Sequence, residues 1–183
     1  IHVVPDSRNL PTEFTESRFP FIVEKLALAM DSGGAGKFRG GLGYEKHIRL
    51  LKDAHFMSIA DRSILACWGV KGGKAGAPFS VTINPGQPDE RIVDALADAE
   101  FVKAGDVIRI CTTGGGGWGD PLERDPSLVV RDITWFKVSP KAAFDDYGVV
   151  LTGSLETDDL GFDEAATNAE REKRIAARGD EPF

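Results

Sequence analysis

Groups able to do chemistry are few in this sequence, and they gather around glycine. The first cluster runs Asp31-Ser32-Gly33-Gly34-Ala35-Gly36-Lys37-Phe38-Arg39-Gly40-Gly41-Leu42-Gly43. Consecutive glycines let main-chain N–H groups converge on an anion, and with Lys37 and Arg39 nearby this is the chemistry of a phosphate cradle. The spacing rejects a Walker A loop, since Lys37 is followed by Phe38 rather than Ser or Thr and no helix follows. The strand–loop–helix setting of a dinucleotide fingerprint is missing as well. The residues favour a structural use, in which glycine supplies positive φ and lets two backbones approach closely.

The second cluster is Trp68-Gly69-Val70-Lys71-Gly72-Gly73-Lys74-Ala75-Gly76, and Asp61-Arg62 precede it across a short apolar run. Two readings of Asp61 and Arg62 stand. They form an ordinary ion pair that holds a loop, or they line a substrate pocket where a guanidinium fork recognises a carboxylate or a polarised carbonyl. Trp68 reads as a filler of a core or an interface rather than as a ligand platform. The third cluster is Thr112-Thr113-Gly114-Gly115-Gly116-Gly117-Trp118-Gly119-Asp120-Pro121, followed by Leu122-Glu123-Arg124-Asp125-Pro126. Four glycines in a row bring no side chain to pack. Either main chain comes very close to another chain or a ligand there, or the loop makes an internal turn closed to other residues. Asp120 and Arg124 are spaced to pair locally.

Searches for a metal site or a nucleophile find little. His2, His47 and His55 are scattered, with no i, i+4 or His-x-His spacing and no accompanying carboxylate set. His47 falls on the polar face of a strand and reads as an exposed or network histidine. Cys111 sits in an apolar strand and reads as an inert thiol, and Cys67 has no base placed beside it by the sequence.

Strands must position the first two thirds of these groups. Residues 19–30 read as a strand with a bulge where alternation breaks at Glu24-Lys25. Residues 44–51 alternate more clearly, with Tyr44, Lys46, Ile48 and Leu50 on one face and Glu45, His47 and Arg49 on the other. Further short strands are expected at 55–59, 80–84 and 107–112. Asn84-Pro85-Gly86 and Ala104-Gly105-Asp106 mark turns. Residues 5–11 read as an extended lead-in. Helices come late: Asp125-Pro126 opens one over 126–132, Ser139-Pro140 opens another over 140–147, and Gly148 closes it. A charged helix is expected over 163–178, with Glu170 and Arg174 as an exposed pair and a thin apolar stripe of Ala165, Ala169 and Ile175. The fold class is α+β: mainly β-strands with glycine-rich loops and short carboxyl-terminal helices. A boundary near residues 152–159 divides a β-rich segment, 1–151, from a charged tail, 152–183.

Composition limits the function classes. The chain has 183 residues, with 22 Lys and Arg against 29 Asp and Glu, a formal charge of −7. No basic surplus exists to displace counterions from nucleic-acid phosphates. No run of 18 apolar residues suggests a membrane span. Residues 1–9 lack the order of a signal peptide, and two cysteines make no disulfide framework, so a reducing cytoplasm is the expected setting. The chain starts at Ile1 without a methionine and reads as the carboxyl-terminal piece of something longer.

In this order the clusters resemble the hydantoinase B/oxoprolinase family, in the carboxyl-terminal third of its long subunit. The match is carried by Phe19-Pro20 with Glu24, by Asp31 to Gly36 and Arg39 to Gly43, and by Asp61-Arg62, Trp68-Gly69, Gly72-Gly73 and Gly105-Asp106. It ends on Gly114 to Pro121, Arg124-Asp125-Pro126, Val138-Ser139 and Asp146-Tyr147-Gly148-Val149. The similarity covers roughly residues 11–151. Ala66-Cys67 departs from the two prolines that members often show before Trp-Gly, and residues 134–137 are bulkier than the usual glycine-containing turn.

The resemblance implies a component of an ATP-dependent cyclic-amide hydrolase acting on hydantoins, 5-oxoproline or lactams. It implies an A-type partner subunit that uses ATP with Mg, and a divalent metal held by His and Asp in an amino-terminal part of the B-type subunit. No cofactor, metal ligand or catalytic residue is assigned to this chain. Asp31, Arg39, Asp61, Arg62 and Asp120 are the candidate polar lining of the substrate pocket. Gly33, Gly34, Trp68, Gly115, Gly116 and Trp118 are candidates for the subunit interface. Related subunits of acetone and acetophenone carboxylases, which carboxylate ketones with ATP, offer an alternative, and a non-catalytic scaffold module is a third.

Overall fold

In β2 (Tyr44–Leu50) the alternation of the sequence is kept: Ile48 and Leu50 turn into a core, while Glu45, His47 and Arg49 fall on the opposite face. The computed structural model describes residues 10–179. β2 is second in a five-stranded antiparallel sheet with β1 (Phe21–Leu28), β7 (Val107–Cys111), β4 (Ser80–Ile83) and β5 (Arg91–Val93), in the order β1-β2-β7-β4-β5. The break at Glu24 is a bulge, where the register with β2 shifts between Val23 and Lys25. A separate antiparallel pair, β3 (Ala54–Ile59) with β6 (Leu96–Val102), closes over one face of the sheet. Ala54, Phe56 and Val102 thereby meet Leu50, Val81, Ile83, Val93 and Ile108 in the first core.

Three elements differ from expectation. Helix α1 (Thr12–Arg18), for which the sequence suggests no element, begins directly after Pro11, itself extended at ψ 140; residues 5–9 of the expected extended lead-in lie outside the described residues. β5 is only three residues long, Arg91 to Val93, too short to show alternation, and β6 carries Ala, Asp and Glu, which have weak strand preference, with Ala99 interrupting it at φ 56.

The late helices follow their caps. α2 (Pro126–Thr134) starts where Ser127 N donates to Asp125, and α3 (Pro140–Asp145) where Ala142 N donates to Ser139. Gly148, at φ 63, ends the α3 segment. A short hairpin, β8 (Leu151–Thr152) with β9 (Gly161–Phe162), leads to α4 (Glu164–Arg178), capped by Asp163. A second core gathers Val129, Ile133, Val138, Ala143, Tyr147 and Val149. The apolar stripe expected on α4 is misplaced. Ala165, Ala169 and Ile175 are exposed, and α4 turns Thr167, Arg171, Arg174 and Arg178 inward instead. Polar groups on α4 serve the main-chain carbonyls beneath it, so this face does not need to be apolar.

Between the two cores the three glycine clusters run side by side. Contacts along residues 114–117 recur every three residues. A Cβ on Gly114 would stand 1.7 Å from Ser32 O, and one on Gly117 would stand 2.1 Å from Ala35 O, so both face one neighbour. Gly115 faces Gly41, and Gly116 faces Trp68 O, which a Cβ would approach to 1.9 Å. From the second cluster, Gly73 abuts Gly117 and Gly76 abuts Gly114, again three apart. A β-strand presents two faces; this segment presents three, the periodicity of a polyproline-II-like extended chain. Its donors are used: Gly114 N bonds Ala77 O, Gly115 N bonds Gly41 O, and Gly117 N bonds Lys74 O, at 2.9–3.0 Å.

This packing predicts sharply different costs for the same substitution. Gly116→Ala should destabilise the chain by about 3 kcal/mol or more, because backbone rather than a movable side chain blocks the new methyl. Gly41→Ala, with nothing within 4 Å of the added Cβ, should stay within about 0.5 kcal/mol. Urea unfolding followed by circular dichroism measures both.

Candidate functional site

A cleft of about 710 Å³ among the described residues lies where the end of β3 meets β4, β5 and β6. Asp61 and Arg62 stand in its wall, on the turn that follows β3, with Ser63, Ser80 and Asp94 as further polar groups. Arg62 takes a left-handed backbone, φ 66, and its carbonyl accepts the Phe79 N–H at 3.0 Å. Its guanidinium lies 5.7 Å from the centre of the Trp68 ring. Among the described residues no ion pair joins Asp61 to Arg62. Both are exposed, and the reading of a loop-holding pair gives way to free polar groups in a cleft wall.

The other polar candidates are not brought to this cleft. Arg39 donates to Asp132 at 3.0 Å and to Gly40 O at 2.6 Å. Asp31 is exposed at φ 61, and its carboxylate accepts the Ser139 N–H at 2.7 Å. Asp120 is buried, accepting Leu122 N at 2.9 Å and Arg178 at 2.8 Å. The local pair expected between Asp120 and Arg124 does not form, because Arg124 turns to Asp132 at 2.8 Å and to Lys37 O at 3.0 Å.

The glycine candidates face one another. Gly33 and Gly34 are buried against Gly40, Lys74 and Gly117, and the half-buried Gly115 and Gly116 lie against Gly41 and Trp68. Their N–H groups are held by main-chain carbonyls, which leaves no open phosphate cradle at Gly34, Gly40, Gly114, Gly115 or Gly117. Trp68 is 70% exposed, so it is not a core filler. Trp118 packs on Phe38 with ring centres 5.5 Å apart, and Lys71 lies over it at 5.3 Å.

Sequence reasoning missed the charged hub of the fold. Asp132 is buried between Arg39 and Arg124, on the inward stripe of α2 with Val129 and Ile133. Its place on that stripe was the available signal. Beside it Tyr147 is buried, and its hydroxyl has no partner; burial pushes its phenol up to about 12, against the lowering influence of Arg124 and Arg39. On the polar face of the sheet, burial raises the Glu45 carboxyl, but hydrogen bonds from Lys25 and His47 outweigh it and hold the group below its ordinary value. Burial, reinforced by the Glu45 charge, pushes the Cys111 thiol up, which fits an inert thiol. Among the described residues no three His, Cys, Asp or Glu side chains could hold a metal ion: His47 is engaged by Glu45 at 2.6 Å, and His55 lies against Phe101. The metal implied by the resemblance has no fitting donor set here, and no step is routed through one.

A profile of the hydantoinase B/oxoprolinase family matches residues 1–121. The chain belongs to this family. The caprolactamase subunit beta of Pseudomonas jessenii is 33% identical over 171 residues, covering 87% of this chain and 27% of its own length. An uncharacterized protein of Methanocaldococcus jannaschii is 39% identical over 144 residues, covering 78% of this chain and 25% of its own length. Among solved structures, nucleotide-free acetone carboxylase superposes on 98% of this chain and 28% of its own, with a TM-score of 0.80 and 25% identity. This hydantoinase B-family chain therefore spans about a quarter of the length of the curated relatives it matches. No helix among its described residues is long and apolar enough to cross a membrane.

Two variants separate the hub from the cleft. Asp132→Ala leaves the buried Arg124 and the half-buried Arg39 without their carboxylate and should cost about 3–5 kcal/mol, whereas Arg62→Ala should cost no more than about 0.5 kcal/mol. Thermal and urea unfolding compare them. Tyr147 has a folded pKa raised from the usual 10, so its contribution is full below about pH 10 and is lost as pH rises toward about 12. Tyr147→Phe should abolish that alkaline loss and the last phenolate absorbance step, with stability at neutral pH unchanged or slightly higher because the lost hydroxyl had no partner.

Proposed function

We propose that this chain is the carboxyl-terminal portion of the B-type subunit of an ATP-dependent hydrolase that opens cyclic amides of the hydantoin, 5-oxoproline or lactam type. The observation that supports the reading is the unpaired Asp61–Arg62 wall of the cleft at the end of β3, carried by a member of this family. A ring amide offers a carbonyl acceptor and an N–H donor side by side. In this reading the Arg62 guanidinium donates to the carbonyl oxygen, and the Asp61 carboxylate accepts from the ring N–H. The apolar remainder of the wall, including Phe79 and Val93, takes the methylene part of the ring and keeps water away from it. ATP with Mg on an A-type partner, and a divalent metal in the amino-terminal part of the B-type polypeptide, supply the activation and water chemistry. In this reading residues 1–151 are the working segment and residues 152–183 a charged tail, whose helix α4 is strapped across the fold, and the assembly works in the cytoplasm.

A second reading, an ATP-dependent ketone carboxylase subunit, draws support from the superposition on acetone carboxylase over 98% of the chain. The test is turnover by the assembled enzyme with ATP. Hydrolysis of hydantoin, 5-oxoproline or caprolactam is expected; turnover only of acetone with bicarbonate would hand the case to the carboxylase. Arg62→Ala should lower kcat/KM about tenfold to a hundredfold, the size of one charged hydrogen bond, while Lys71→Ala leaves it unchanged. Unaltered kinetics in Arg62→Ala would remove Arg62 from the site.

A further inference from the structure

We propose that the apolar shelf around the Asp61–Arg62 cleft is the seat of the remainder of the B-type polypeptide, so that the site is completed by contact between the two. Ile64 is 91% exposed, Ile92 80%, Leu65 76% and Leu96 73%, and all four line this one cleft. Ile59, 79% exposed, pairs with Leu96 across β3 and β6 and extends the patch. Single exposed aliphatic side chains are ordinary, but a contiguous set around a concave surface marks a contact. The backbone around it is also unfinished: β3 and β6 make a sheet of only two strands, and β5 pairs only with β4 among the described residues. The inner face of the β3–β6 pair already packs on the first core, so what stays open beside the shelf is its strand edges and that of β5, main chain ready to pair with another segment.

The occupant follows from length and chemistry. The matched relatives and the acetone carboxylase chain devote only 25–28% of their length to the part that corresponds to this chain. In a B-type subunit the other three quarters is tethered or permanently assembled, and tethering makes it the competitor at highest effective concentration. Permanent contacts resemble a core cut in half, whereas contacts with exchangeable partners are more polar. The shelf is aliphatic, with its charges (Asp61, Arg62 and Asp94) confined to the same cleft. The inference rests on the reading that a B-type remainder accompanies this chain, but it does not depend on which substrate is turned over.

The test places a photoreactive residue on the shelf, Leu65→p-benzoylphenylalanine, in the purified assembled enzyme, and maps the captured peptides by mass spectrometry. Peptides from the remainder of the B-type polypeptide are expected. Capture of the A-type subunit, of a second copy of this chain, or of nothing would overturn the proposal. As a second readout in the same assembled enzyme, the thiol of Ile64→Cys in a Cys67→Ser background should react with maleimide at least tenfold more slowly than that of Glu172→Cys on the exposed face of α4; equal rates would also overturn it. Capture of the B-type remainder without turnover of amide or ketone would remove the functional reading alone. Turnover with capture elsewhere would remove this inference alone.

Discussion

Everything in this chain is hung on a length of main chain that has no side chains. Residues 114–117 are surrounded by three other segments, each so near that a methyl group would overlap a carbonyl. Hydrogen bonds leave the central segment in several directions, to the carbonyls of Gly41, Lys74 and Ala77, rather than in the single plane of a sheet. A net hydrogen bond is worth only about 1 kcal/mol, so the stability of such a bundle comes from many of them together with close packing of peptide planes. Side chains would destroy that packing by volume alone. The glycine clumps are therefore one structural device, although the sequence separates them by tens of residues.

That bundle decides where the charges go. By holding residues 34–40 against residues 115–118, it brings Arg39 and Arg124 onto the same carboxylate, Asp132. A lone buried carboxylate would be costly, and two guanidinium groups in hydrogen-bonding range offset its desolvation. The same logic continues outward through α4. Arg171 donates to the carbonyls of Tyr147 and Arg124, Arg174 to that of Asp145, and Arg178 to the carboxylate of Asp120. α4 is thus fastened by arginine forks over carbonyls that no helix or sheet satisfies. This explains how a helix with a thin apolar stripe can still lie against the fold.

Local rules were legible in the sequence, and non-local ones were not. The caps at Asp125 and Ser139, the bulge at Glu24 and the turns at Gly86, Gly105 and Gly148 are each set by residues a few positions apart, and all appear as expected. β6 escaped because its Ala-Asp-Ala-Glu composition argues against a strand, while its partner β3 lies some forty residues earlier and the core it closes is drawn from residues 50 to 108. Arg39 looked like a free cation for the same reason, since nothing nearby in sequence reveals that Asp132 will stand 3.0 Å away. Of the five polar candidates only Asp61 and Arg62 share a cleft. Sequence spacing could mark these residues as chemically able but could not say which of them the fold had already used.

The free state of Arg62 carries the remaining weight. A non-glycine residue at φ 66 costs on the order of 1 kcal/mol and persists only where its surroundings impose it. Here the imposition is visible: Phe79 N–H holds the Arg62 carbonyl, and Trp68, anchored at the edge of the glycine bundle where its own carbonyl meets Gly116, limits the swing of the guanidinium. A fork whose backbone is already fixed loses less entropy when it engages a partner than one on a mobile loop. The bundle, the turn and the aromatic ring therefore act in series, so a disturbance at Gly116 should be felt at Arg62 through Trp68, whose carbonyl meets Gly116 and whose ring meets the guanidinium. Rigid backbone on one side and an uncovered apolar shelf on the other describe half of a pocket, and its second wall is what the proposal assigns to the remainder of the B-type polypeptide.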